Sequence, residues 1–206
     1  MRVKICGITN LEDALAAVDA GADALGFNFA EEAKKKRRYI DFSDAVDIAY
    51  SVQPFVTTVA VVTNPDWEDV ELYLEYFDRV QFHGEESPKF CWDWRVRAIK
   101  AFRVSPDFDP EIVVTYPGRA VLLDAYDPKQ RGGTGKTLDW DIARRVVEIG
   151  KPVILAGGLT PENVADAIRA VRPYAVDVAG GVESAPGKKD HERIRSFIRN
   201  AKNALA

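Results

Sequence analysis

Cys6 stands at the end of the first strand-like run, residues 3–6, and is followed by Gly7. A thiol in that position can serve as nucleophile or general base, since its ordinary pKa of about 8.5 falls near cations. It can also be a small buried apolar residue. Cys91, between Phe90 and Trp92 in a helical stretch, fits the second description. Asp124 ends a second such run, residues 120–124, and a carboxylate after four apolar residues is partly desolvated, a setting that suits a general acid. A helix cap or a loop ion pair is its plainer role. His83 follows Gln81-Phe82 at another strand end and can bind or transfer protons near neutral pH, or be a satisfied structural histidine. His191 opens the last helix and is expected on the surface.

Two glycine pairs suggest a phosphate. Gly157-Gly158 and Gly180-Gly181 each follow an apolar run, where bare backbone N–H groups can approach an anion at a helix start. Tight strand-to-helix turns are the alternative. Gly132-Gly133-Thr134-Gly135-Lys136-Thr137 resembles a P-loop but has Gln130 where that motif needs glycine, so it reads as a flexible active-site loop. In the basic run Lys34-Lys35-Lys36-Arg37-Arg38, one arginine can hold a carboxylate by a two-point contact while the lysines stay solvated. Asp177, a charge inside the strand pattern Val176-Asp177-Val178, must face a polar ligand or an ion-pair partner.

The elements that must position these residues alternate regularly. Strands are expected over residues 3–6, 24–29, 56–62, 80–83, 97–102, 120–124, 153–156 and 175–178, most of them apolar throughout, as in parallel strands covered on both sides. Helices are expected over 11–20 after Asn10, 44–51 opened by Ser43, 66–76 after Asn64-Pro65, 140–149 after Asp139, 162–171 after Thr160-Pro161 and 191–203. Residues 87–94 and 109–116 are more weakly marked helices. Eight strand–helix units fit a closed barrel or an open doubly wound sheet. About 26 residues per unit favours the barrel, a single α/β domain of (β/α)8 TIM-barrel type spanning 1–206. In that fold the loops after the strands build the active site, which is where Cys6, His83, Asp124 and both glycine pairs fall.

Composition narrows the class. The 206 residues are 47% apolar and 29% charged, an ordinary globular balance. A net charge of -4 argues against nucleic-acid or anionic-membrane partners. Two cysteines make no disulfide framework, and two isolated histidines give no metal-binding spacing. No apolar run reaches about 18 residues and the first residues do not read as a signal peptide, so the cytoplasm is the expected location.

Taken together, Lys4-Ile5-Cys6-Gly7-Ile8-Thr9, Gly26-Phe27-Asn28-Phe29, Arg38-Tyr39-Ile40, Gln81-Phe82-His83-Gly84-Glu85, Leu122-Leu123-Asp124, the Gly132–Thr137 loop sequence, Ala156-Gly157-Gly158-Leu159 and Asp177 with Gly181-Val182-Glu183 resemble the phosphoribosylanthranilate isomerase family of tryptophan biosynthesis. The resemblance implies an Amadori rearrangement of N-(5-phosphoribosyl)anthranilate to 1-(2-carboxyphenylamino)-1-deoxyribulose 5-phosphate. It implies Asp124 as the general acid on the furanose oxygen and Cys6 as the base that removes the C2 proton. Arg38 would hold the anthranilate carboxylate, Asp177 would lie near the anthranilate amine, and Gln81 and His83 would bind substrate. The amides of Gly157, Gly158, Gly180 and Gly181 would receive the phosphate. No metal or organic cofactor is implied, because the protonated imine is itself the electron sink. The partner would be the phosphorylated substrate alone, on a monomer or homodimer.

Two features depart from the family pattern. The usual serine pair before Gly-Val-Glu is Ala179-Gly180, which keeps the amides and loses hydroxyl contacts to phosphate. Residues 30–39 lack the usual proline-serine pattern and run about two residues longer, and Arg38 is chosen over Arg37 because Tyr39-Ile40 follows it directly. The competing readings are a related aminoaldose isomerase of histidine biosynthesis, which resembles this barrel but has a carboxylate where Cys6 stands, and a non-catalytic barrel that binds a phosphorylated ligand.

Overall fold

The structure, a computed structural model, describes residues 1–125 and 138–205. Eight strands form the wall: β1 (Arg2–Cys6), β2 (Ala24–Asn28), β3 (Thr57–Val62), β4 (Arg79–Phe82), β5 (Ala98–Val104), β6 (Ala120–Ala125), β7 (Val153–Leu155) and β8 (Ala175–Val178). They pair in parallel in chain order, and β8 pairs back onto β1 to close the barrel. Between and after them lie α1 (Leu11–Asp19), α2 (Phe42–Val52), α3 (Trp67–Tyr76), α4 (Pro88–Asp93), α5 (Trp140–Glu148), α6 (Val164–Val171) and α7 (His191–Asn203). This is the expected (β/α)8 barrel. The expected glycine loop, Gly132–Thr137, lies outside the described residues.

The departures from expectation are local and have local causes. Residues 109–116 do not form an α-helix. Pro110–Thr115 is a 3-10 turn, consistent with a β-branched run, Ile112-Val113-Val114-Thr115, that disfavours the α conformation. Helix α2 starts at Phe42 on an extended Asp41, which puts Ser43 inside its first turn. Helix α6 starts at Val164: Asn163 Oδ1 accepts from Thr160 N at 2.8 Å and Thr160 Oγ1 accepts from Glu162 N at 3.2 Å, so the preceding residues form a turn. Strand β5 runs past Phe102 because Arg103 and Val104 pair with Asp124 and Ala125. Asn10 and Asp139 cap α1 and α5 as expected. His191 is not a free surface residue. It is partly buried, and its Nε2 lies 2.8 Å from Asp13 Oδ1, linking α7 to α1.

Beyond β8, a 3-10 turn at Gly180–Val182 leads into an unforeseen hairpin of β9 (Glu183–Ala185) and β10 (Lys188–Lys189). Its tip meets the loop after β2: a Cβ on Gly187 would run into the carbonyl of Arg37.

Side chains alternate along each strand between the barrel interior and the helix layer. The outward set, including Ile5, Leu25, Phe27, Leu123, Leu155 and Val176, packs with the helices into the main core. Inside, Ala101, Leu122, Ile154, Ala156 and Ala175 form one apolar cluster, and Cys6 joins Val59 and Val61 in another. Polar interior side chains gather toward the ends of the strands: Lys4, Gln81, Asp124 and Asp177 are all buried. Buried charges are costly unless paired, so this end of the barrel is organised for something other than stability.

Candidate active site

A cavity of about 560 Å³ opens at that end. Its lining includes Cys6, Arg38, Gln81, His83, Asp124, Gly157, Gly158, Asp177, Gly180 and Gly181, which brings all ten sequence-predicted residues to one place. The volume suits a ligand of drug-like size. Among the described residues, no group of three or more His, Cys, Asp or Glu is arranged to hold a metal ion.

Cys6 and Asp177 share a surrounding. Lys4 pairs in register with Asp177 across the β1–β8 closure, and its Nζ lies 2.7 Å from Asp177 Oδ1. Cys6 pairs in register with Gly26, which lets thiol and ammonium approach β2: an added Cβ at Gly26 would stand 2.7 Å from Cys6 Sγ and 3.0 Å from Lys4 Nζ. Burial pushes the Cys6 thiol upward in pKa, and the Lys4 cation opposes that shift. Burial would lower Lys4, yet Asp177 and Cys6 outweigh it and hold the ammonium above the usual lysine range. Lys4 was missed in the sequence, although its spacing of two from Cys6 in one strand puts both on the same face.

Asp124 is the penultimate residue of β6, and its Oδ1 accepts from the amide of Ala125 at 2.9 Å. His83 Nε2 lies 3.5 Å from Asp124 Oδ2, and His83 Nδ1 lies 3.3 Å from Gln81 Nε2. Gln81 Oε1 and His83 Nε2 are buried and have no hydrogen-bond partner among the described residues, so both can receive a ligand's polar atoms. A second buried ion pair steadies this loop. Lys100 Nζ lies 2.9 Å from Glu86 Oε2 and donates to the carbonyl of Gly84 at 2.7 Å, while Glu86 accepts from the amides of Gly84 and Asn64.

Arg37 and Arg38 separate clearly. Arg37 is exposed at a left-handed position (φ 53°), and Arg38 turns into the cavity. Glu183 grips Arg38 with both oxygens, at 2.8 Å to Nε and 2.7 Å to Nη2. Lys189, fully buried, donates to Glu183 at 2.9 Å and to the carbonyls of Cys6 and Ala179 at 2.7 and 3.1 Å. Burial favours a raised Glu183 pKa, but the Arg38 and Lys189 cations overcome this and hold it below the usual glutamate range. Glu183 and Lys189 were not foreseen as site residues, since a two-residue strand such as Lys188–Lys189 carries no periodic signal.

The glycine loops line the same cavity. Gly157 has φ 81°, a backbone that side chains rarely adopt, and its missing Cβ leaves room for Ala125. At Gly180 an added Cβ would stand 2.7 Å from Arg38 Nη2. The Ala179-Gly180 sequence therefore leaves space for the guanidinium that a serine at 180 would displace.

Comparison with known proteins agrees with this fold. The family model described as N-(5'-phosphoribosyl)anthranilate (PRA) isomerase matches residues 3–200. The N-(5'-phosphoribosyl)anthranilate isomerase of Geobacter metallireducens is 52% identical over 204 residues, covering 98% of this chain and 99% of that protein. The phosphoribosyl anthranilate isomerase structure from Thermotoga maritima superposes with a TM-score of 0.88 at 47% identity, over 98% of each chain. Another structure from that organism is of monomers generated from a dimeric enzyme. A structure in complex with reduced 1-(o-carboxyphenylamino)-1-deoxyribulose 5-phosphate gives 0.84 at 44%, again over 98% of each chain. The chain belongs to the N-(5'-phosphoribosyl)anthranilate isomerase family.

Proposed function

We propose that the cavity performs the family's reaction, the Amadori rearrangement of N-(5'-phosphoribosyl)anthranilate to the aminoketose 1-(o-carboxyphenylamino)-1-deoxyribulose 5-phosphate, with Asp124 as general acid and Cys6 as general base. The enzyme class, an isomerase of tryptophan biosynthesis, comes with the family. The carrying observation is that one cavity is lined by both Cys6 and Asp124, with the glycine loops after β7 and β8 beside them.

The chemistry assigns each group a task. Asp124 protonates the furanose oxygen, the C1–O bond breaks, and the nitrogen lone pair forms the protonated imine. Cys6, as thiolate, takes the C2 proton, and that bonding pair flows into the imine to give the enaminol. Tautomerisation then adds a proton at C1 and removes one from the C2 hydroxyl, so no net proton is consumed. Arg38 binds the anthranilate carboxylate through donors that Glu183 leaves free, and Asp177 lies near the anthranilate amine. Gln81 and His83 contact the substrate through the two unpartnered atoms. The amides of Gly157, Gly158, Gly180 and Gly181 bind the phosphate.

The test is anthranilate fluorescence during turnover, run beside the histidine-pathway aminoaldose. Consumption of the first substrate alone, with loss of most activity in Cys6→Ser and Asp124→Asn, is the expected result. Near-normal kcat in either variant removes its assigned role. The expected oligomer, monomer or homodimer, is read by sedimentation, and the cytoplasm remains the expected location. Among the described residues no helix is long and apolar enough to cross a membrane.

A further inference from the structure

We infer that Lys4 is a positioning residue for the base: its ammonium, anchored by Asp177, holds the Cys6 thiol in place and supplies the positive charge that lets Cys6 work as a thiolate. The inference rests on reading Cys6 as the base. It starts from a cost. Lys4 and Asp177 are both buried, and a buried ion pair adds little stability over well-packed apolar residues. A pair serving only to join β1 to β8 needs no third contact. Here Lys4 Nζ and Cys6 Sγ converge on the space above Gly26, within 3.0 Å of the point a Cβ would occupy.

The charges around the thiol are few. Strand β1 supplies Lys4, and β8 supplies Asp177. From β10, Lys189 donates to the Cys6 carbonyl and favours the thiolate less than Lys4 does, while pairing with Glu183, whose other partner is Arg38. Strand β2 presents Gly26, and β3 presents Val59 and Val61, none of them charged. Burial disfavours the thiolate and Asp177 opposes it electrostatically, so Lys4 is the cation that does most to stabilise it. A thiolate too high in pKa is rarely present near neutral pH, which makes this cation a control on rate as well as on geometry.

The experiment follows the pH dependence of Cys6 alkylation by iodoacetamide, in a Cys91→Ala background so that only Cys6 reports. The cavity gives the reagent access. Lys4→Gln can still donate to Asp177 but carries no charge, and it should raise the alkylation midpoint by at least one pH unit. The lower-pH limb of kcat should move with it, KM staying within about threefold. Lys4→Arg should restore most of the wild-type midpoint. Asp177→Asn leaves Lys4 charged and should move the midpoint down, a direction that also tests the idea if Lys4→Gln does not fold. Unchanged midpoints in the folded variants overturn the inference. Full turnover by Cys6→Ser would instead overturn the base assignment, so the two failures are told apart.

Discussion

Gly26 and Cys6 are neighbours in register on β2 and β1, and the thiol occupies the space where a side chain at 26 would begin. Gly26→Ala must displace both Cys6 Sγ and Lys4 Nζ. The expected result is a folded protein, destabilised by about 1–3 kcal/mol from overpacking, with kcat reduced by about tenfold or more, as expected when a positioned base is displaced. Thermal melts and steady-state kinetics separate the two effects.

Asp124→Asn keeps the shape of the side chain and removes the proton donor. Loss of a positioned acid typically costs about 10²–10⁴-fold in rate. The loss should appear in kcat with KM changed little, because Asp124 is assigned to proton transfer rather than to ground-state binding.

Arg38→Ala should raise KM about 10–100-fold, the value of a charge-assisted contact of about 1.5–3 kcal/mol. Arg37→Ala should leave KM unchanged, since Arg37 is exposed while Arg38 lines the cavity. The reverse pattern would move the carboxylate contact to Arg37.

The Lys100–Glu86 pair predicts a stability effect away from the reacting atoms. Lys100→Met leaves Glu86 buried without its cation, which costs about 3–5 kcal/mol. Urea unfolding should show that loss, and KM should also rise as the Gly84 turn beside His83 loosens.

Stability should fall in alkali through the cysteines. Burial pushes the Cys91 thiol up from 9.0 to about 11, so between those values the folded chain keeps a proton that the unfolded chain releases. Its contribution is complete below pH 9 and is lost as pH rises to about 11, roughly 2–3 kcal/mol in all. Cys6 acts with the same sign. Unfolding in urea across pH 8–11 should show this decline, shallower in Cys91→Ala.

Much of this was readable from residue order because barrel strands are short, apolar and end at the active site. That rule located Cys6, His83, Asp124 and both glycine pairs. Asp177 was legible as a charge in an apolar strand, and the same reasoning applied to Lys4 would have found its partner. Glu183 and Lys189 were beyond it, because they act through a hairpin whose strands are three and two residues long. The end of β5 was misjudged because pairing with Asp124 and Ala125, rather than local propensity, extends it.

The closure of β8 onto β1 carries a consequence for assembly. Lys4 meets Asp177 across 173 residues of chain, so its counter-charge arrives only when the last barrel strand docks. Until then β1 and the growing edge both offer unpaired backbone groups, a template for aggregation. Contacts of such sequence separation form slowly. A fragment lacking β8 would leave Lys4 without its anion and Cys6 without an anchored cation. A fall in Cys6 thiol reactivity during refolding, as burial raises its pKa, would therefore time the closing of the ring.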